Sequence, residues 1–285
     1  MRREILLKNE FAWFCVALFA GWWPSTYGAV VQLAPSQDNS IFSESDASNG
    51  AGPLFSGVTA QGNLRRALLQ FDIASNVPAG ATITAVTLGL TQIKIGPGAV
   101  ATFELHPLSA AWGEGTANGL GAGTTAGNGD ATWNFRHYNT NPWSAAGGDF
   151  GAISGTATLG IENQLYTFAS QPAMVADVQN WRNAPASNFG WILREAAESP
   201  SATTAREFGS RESGGSFAPT LTITYSVPEP GVLSWVAVGL VGCVLRGHRR
   251  RMITGNSHGA ATPGSELCAT PRIDRATEIA RSMSR

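Results

Sequence analysis

Residues 82–95 read TITAVTLGLTQIKI, and the fold class follows from the pattern of this run. Ile83, Val86, Leu88 and Leu90 carry the apolar side chains, with threonines on the other face. A β-branched, alternating run of this kind is a strand with one face in a core. Pro78-Ala79-Gly80 before it and Gly96-Pro97-Gly98 after it are turn sequences. Upstream of it, Arg66 to Ile73 (RALLQFDI) reads as a buried strand. Val100–Leu105, Gln164–Phe168, Phe189–Arg194 and Pro219–Tyr225 add further strands. One segment has helical spacing instead. Pro172 to Trp181 places Met174, Val175, Val178 and Trp181 on one face, with Pro172 suited to the first turn and Asn183-Ala184-Pro185 as the stop. Strands at this spacing predict a mainly β chain: an antiparallel β-sandwich with one short helix packed on it.

Composition agrees with a turn-rich β domain. Among 285 residues there are 33 glycines, 43 % are hydrophobic and only 14 % are charged. That is enough apolar content for a core and is unlike a disordered chain. The three cysteines, Cys15, Cys243 and Cys268, all lie outside residues 30–227. The central domain therefore has no disulfide and no thiol site. Over that span the basic residues are Arg65, Arg66, Lys94, Arg136, Arg182, Arg194, Arg206 and Arg211, eight against fourteen Asp and Glu. An acidic domain of this kind argues against nucleic acid as a partner, because phosphate contacts need a basic face.

The ends read as addresses. Arg2, Arg3 and Lys8 precede the apolar run Phe11 to Ala20, and small residues follow at Thr26, Gly28 and Ala29. This is the layout of a signal peptide over 1–29, read by the Sec export machinery and cleaved near Gly28 or Ala29. An uncleaved anchor is the alternative, although the run is short for a bilayer span. At the other end Val227-Pro228-Glu229-Pro230-Gly231 leads into VLSWVAVGLVGCVL, which is expected to form a C-terminal transmembrane helix. The cluster Arg246, His248, Arg249, Arg250 and Arg251 follows and would stay cytoplasmic.

A Pro-Glu-Pro triad, an apolar span and an arginine cluster in that order resemble the PEP-CTERM sorting signal, here over 227–251. The resemblance implies export, recognition by an exosortase-type sorting enzyme, and processing near Pro228, Glu229 and Pro230. Carriers of such signals belong to Gram-negative bacteria that make exopolysaccharide. The chain departs from the pattern in continuing past the arginines through a polar tail, residues 252–285, read as disordered.

The central region, 30–226, resembles the DNRLRE domain, related to a family of carbohydrate-binding modules. The resemblance rests on Arg65-Arg66-Ala67-Leu68-Leu69-Gln70-Phe71-Asp72, Ile83-Thr84-Ala85-Val86-Thr87-Leu88, Trp112-Gly113-Glu114-Gly115 and Thr132-Trp133-Asn134. It continues through Gly147-Gly148-Asp149, Asp177-Val178-Gln179-Asn180-Trp181 and Asn188-Phe189-Gly190-Trp191, and closes on Phe208-Gly209-Ser210-Arg211-Glu212 before Pro219-Thr220-Leu221. It implies a jelly-roll-like sandwich with an extracellular binding or structural role.

Motifs for catalysis are lacking in the sequence. There is no nucleophile motif and no metal-spaced His/Cys set. Glu104, Glu114, Asp130 and Asp149 are acids without a spacing that singles out a glycosidase pair. The expectation is a non-enzyme. Trp112, Trp133, Tyr138 and Trp143 share a Gly- and Asn-rich stretch with Arg136, His137 and Asn139. Sugars need flat apolar faces beside hydrogen-bonding groups, so Tyr138, Trp143 and Arg136 are the carbohydrate-binding candidates. Trp112 and Trp133 fit the core as well as a surface, and Trp181 and Trp191 read as core. Asp38, Asn39 and Glu44 offer hard oxygen donors for a structural Ca2+, with chain closure able to bring Glu212 near them; solvated loop residues are the alternative. Asp72 reads as the ion-pair partner of Arg65 or Arg66. These observations predict an exported cell-surface or extracellular-matrix protein that binds or is embedded in exopolysaccharide. The rival readings are a purely structural adhesion or spacer protein and, less favoured, a non-catalytic remnant of a polysaccharide-active enzyme.

Overall fold

The computed structural model describes residues 26–95 and 99–228. The signal-peptide region before Thr26, the apolar segment, the arginine cluster and the tail lie outside the described residues. In chain order the strands are β1 (Thr26–Leu33), β2 (Gln37–Phe42), β3 (Ala47–Ser48), β4 (Leu54–Val58), β5 (Leu64–Gln70), β6 (Thr82–Ile95), β7 (Ala101–Pro107) and β8 (Thr124–Thr125). They continue with β9 (Phe135–His137), β10 (Asn141–Pro142), β11 (Gly155–Leu159) and β12 (Leu165–Phe168). Helix α1 (Pro172–Asn183) precedes β13 (Trp191–Glu195), β14 (Arg206–Phe208) and β15 (Thr220–Pro228).

The sandwich expectation is corrected. Eleven strands form one antiparallel sheet, in the path β1-β15-β6-β14-β4-β5-β13-β7-β11, with β12 on β6 and β2 on β5. The sheet curls into a half-barrel rather than dividing into two facing layers. Strand β14 joins its two arms: Phe208 pairs with Gln92 of β6 on one side and Leu54 of β4 on the other. Curling brings both arms onto one core. Val86, Leu88, Leu90, Leu221 and Ile223 from one arm meet Ala67, Leu69, Phe103, Leu105 and Leu193 from the other. Among the described residues no helix is long and apolar enough to cross a membrane.

Strand β6 is the axis of this arrangement. Its buried residues step from Ile83 to Val86, then alternate through Leu88, Leu90 and Gln92. The three-residue first step is a bulge: Ile83 faces Tyr225 and Ala85 faces Thr224 on β15, so one residue of β6 is left over. A bulge resets which face a strand buries and bends it, which helps the sheet curl. Where β6 lacks a strand neighbour, side chains substitute. Its Ile83 and Val86 N–H groups donate to Gln179 Oε1 at 2.8 Å and Ser170 Oγ at 3.0 Å. Helix α1 starts on Pro172 as expected and buries Met174, Val178 and Trp181 against the concave face. Trp181 meets Trp191 edge-on, ring centroids 4.6 Å apart.

Strand β5 shows why Arg66–Ile73 looks continuously apolar. Ala67 and Leu69 face the main core, while Leu68 joins a second cluster with Ile41, Leu108, Trp112, Ala131, Trp143 and Ile192. Both faces are covered, so alternation is lost. The long segment between β7 and β11 makes that second cover.

Candidate functional site

Strand β2 has the sequence QDNSIF, yet every residue after Gln37 is buried. Burying polar groups is costly unless they are hydrogen-bonded, so their partners define the site. Asn39 is almost saturated. Its Nδ2 donates to Ser48 Oγ at 2.9 Å and the Ala131 carbonyl at 3.1 Å; its Oδ1 accepts from the Ser40 and Asn49 N–H groups at 2.6 and 2.8 Å. Ser40 Oγ accepts from the Phe55 N–H at 2.8 Å.

Asp38 is different. One carboxylate oxygen accepts from the Arg211 N–H at 2.8 Å, but Oδ1 is buried without a hydrogen-bonding partner among the described residues. Burial, reinforced by the charges of Glu212 and Glu114 and opposed by the Arg211 N–H and guanidinium, pushes this carboxyl up to about 7. Two further acids converge on it. Glu114 accepts from the Asp38 backbone N–H at 2.9 Å, and Glu212 sits on the short turn Arg211–Ser213 after β14. Oxygens of Asp38, Glu114 and Glu212 all lie within 4.8 Å of one another. The Arg211 guanidinium reaches Glu114 and Glu212, each at 2.9 Å.

Local sequence explains this convergence. Glu114 lies in a glycine-lined bend. A Cβ on Gly50 would fall 1.9 Å from the Glu114 carbonyl oxygen, and Gly115 has φ +79° with the Asp130 carboxylate 2.1 Å from its would-be Cβ. Only glycine tolerates such approaches. Ser210 and Ser213 cap the turn that aims the Arg211 N–H at Asp38.

Of the proposed calcium ligands, therefore, only Asp38 joins an acidic cluster. Asn39 is consumed by the hydrogen bonds above, and Glu44 forms a two-pronged ion pair with Arg65. Glu212 is brought to Asp38, and Glu114 completes the set. The pairing read for Asp72 is also corrected: Arg66 pairs with Glu198, and Asp72 accepts from the Ser75 N–H at 3.2 Å.

The aromatic stretch divides. Trp143 is 5 % exposed with its Nε1 donating to the Thr132 carbonyl at 2.9 Å. It belongs to the second core cluster, which corrects its reading as a stacking platform, since a sugar needs an open ring face. Trp112 is buried likewise, bonded to the Phe189 carbonyl at 2.8 Å. Trp133 is half-buried beneath the Arg66 guanidinium, 4.7 Å from its ring centre. Tyr138 is half-buried and edge-on to Phe135, and the half-buried Arg136 donates to the Ala111 carbonyl at 3.2 Å. A cavity of about 520 Å³ is lined by Ser109, Ala110, Ser144, Ala145, Gly148, Asp149 and Phe150. Burial alone would raise the Asp149 carboxyl, but the Ser144 and Ala145 N–H groups outweigh it and hold the carboxyl below its ordinary range. Among the described residues Asp149 is the only carboxylate lining this cavity. Glu104 bonds His106 at 3.1 Å and Asp130 holds the Gly127 N–H at 3.0 Å, so these acids have separate structural partners.

Pro228 is the last residue of β15, paired with Thr26 of β1. Glu229, Pro230, Arg246, Arg249, Arg250 and Arg251 lie outside the described residues. No protein-family model matches the chain and no curated protein matches it, so both family resemblances rest on the quoted motifs alone.

Proposed function

We propose that the chain is an exported, non-catalytic surface or matrix protein, a DNRLRE-like β domain delivered by an N-terminal signal and a PEP-CTERM-like sorting segment. The observation that carries this reading is the pairing of β1 with β15. The two strands run antiparallel from Thr26↔Pro228 to Leu33↔Leu221. Among the described residues the paired ends of the domain, Thr26 and Pro228, therefore lie inside the edges of the two candidate addresses, 1–29 and 227–251. The Sec machinery and an exosortase-type enzyme are the partners this implies. Cleavage at Gly28 or Ala29 would trim the start of β1, leaving Val30–Leu33 paired with Leu221–Thr224.

Exopolysaccharide is the proposed ligand, with Tyr138 and Arg136 as its contacts and the 520 Å³ cavity lined by Asp149, whose carboxylate feels the Arg136 charge, as a further surface. A second reading, a structural spacer without a sugar site, is favoured by the burial of Trp143. Mass spectrometry of the mature protein from its host tests the address: new termini near residues 26–30 and 228–231 are expected, and an intact chain in the cytosol overturns it. A polysaccharide-binding assay separates the two ligand readings. Tyr138→Ala and Arg136→Ala should each weaken binding about tenfold if each removes about 1.4 kcal/mol of contact; unchanged binding favours the spacer.

A further inference from the structure

We infer that Asp38, Glu114 and Glu212 form a binding site for a hard divalent cation, calcium by size, which staples three segments far apart in sequence. Three carboxylates converge within 4.8 Å, and Arg211 is the one cation bonded to them among the described residues. The charge is therefore under-compensated. Independently of that crowding, the Oδ1 atom of the fully buried Asp38 has no partner. An orphaned carboxylate oxygen is among the costliest groups to bury, and a metal ion is one of the few things that satisfies it.

The donor set selects the ion. All three ligands are hard oxygens, which disfavours zinc and copper. Calcium–oxygen bonds of about 2.3–2.6 Å place opposite ligands about 4.6–5.2 Å apart, wide enough to hold this cluster. Magnesium, with bonds of about 2.0–2.1 Å, demands a tighter octahedron and keeps its waters. The Arg211 side chain is 40 % exposed, so its guanidinium can swing outward as the ion enters while its backbone N–H stays on Asp38. Asp38 belongs to β2, Glu114 to the segment after β7, and Glu212 to the turn before β15. One ion would tie all three together.

The test is thermal unfolding of the purified full-length chain, stripped with EGTA and titrated with CaCl2 or MgCl2. Calcium at about a hundred times its Kd should raise Tm by about 5–10 °C, with magnesium giving a smaller rise. Glu212→Gln, at an exposed position, should fold and lose most of the calcium shift. Arg211→Gln should keep the shift and reach it at lower calcium, because a competing charge is gone. A parent Tm that does not respond to about 10 mM calcium overturns the site, as does a Glu212→Gln variant that responds like the parent. An Arg211→Gln variant that is destabilised and not restored by calcium also overturns it, because Arg211 would then be the permanent counter-ion.

Discussion

Strands β6 and β2 are both buried, for opposite reasons. In β6 the buried residues Ile83, Val86, Leu88 and Leu90 are apolar and enter the core by the hydrophobic effect. In β2 the buried Asp38, Asn39 and Ser40 are polar and reach full burial because distant groups satisfy most of their hydrogen bonds. The first kind of burial is written in the strand's own side chains. The second exists only when residues some 90 positions away arrive to meet it, as Ala131 meets Asn39.

Equal damage to the two strands tests this contrast. Leu88→Ala removes fully buried apolar volume and should cost about 3–5 kcal/mol, read from the urea midpoint at constant m. Asn39→Ala should cost about 2–4 kcal/mol, because it strands the buried Ser40 and Asn49 N–H groups and the Ala131 carbonyl. A cost below about 1 kcal/mol would mean that hydrogen bonding does not hold β2 in place. Glu44→Gln, which removes the partner of the buried Arg65, should cost about 1 kcal/mol, since Glu44 is itself 30 % exposed.

The smallest effect concerns Asp177 on α1, which accepts from Trp191 Nε1 at 2.8 Å. Burial raises its carboxyl above the ordinary 3.8, although hydrogen bonds from Ser154 and Trp191 oppose the rise. The folded chain therefore holds this proton more tightly than the unfolded chain. The stability it adds is fully present below pH 3.8 and fades as pH rises through the folded value. Asp177→Asn should flatten the fall in Tm as pH rises above 3.8. A slope identical to the parent's would refute the assignment.

Legibility in the sequence followed the same divide. TITAVTLGLTQIKI was read with its boundaries, 82–95, because alternation is local, and α1 was read from its first residue because Pro172 and the apolar spacing are local too. Strands β1, β4 and β11 escape the sequence reading, as do β2, which is polar, and β14, which is only three residues long. With β14 went the connection that makes one curled sheet instead of two layers. Trp143 was misplaced because a tryptophan in a glycine-rich loop looks the same whether the loop folds over a core or stands open. Asp38 and Glu212 were within reach of inspection, but Glu114 joins them only through glycine-permitted contacts at Gly50 and Gly115.

A β-rich, disulfide-free acidic domain with one helix is legible from the residues, because periodicity, composition and turn residues act over short range. That the sheet is single and curled, that polar β2 is buried, and that Asp38, Glu114 and Glu212 meet emerges only in the folded chain. Those outcomes depend on which strand edges pair and which distant carbonyls and carboxylates come into reach, and hydrogen bonds and Coulomb forces act only once the chain has brought those groups together.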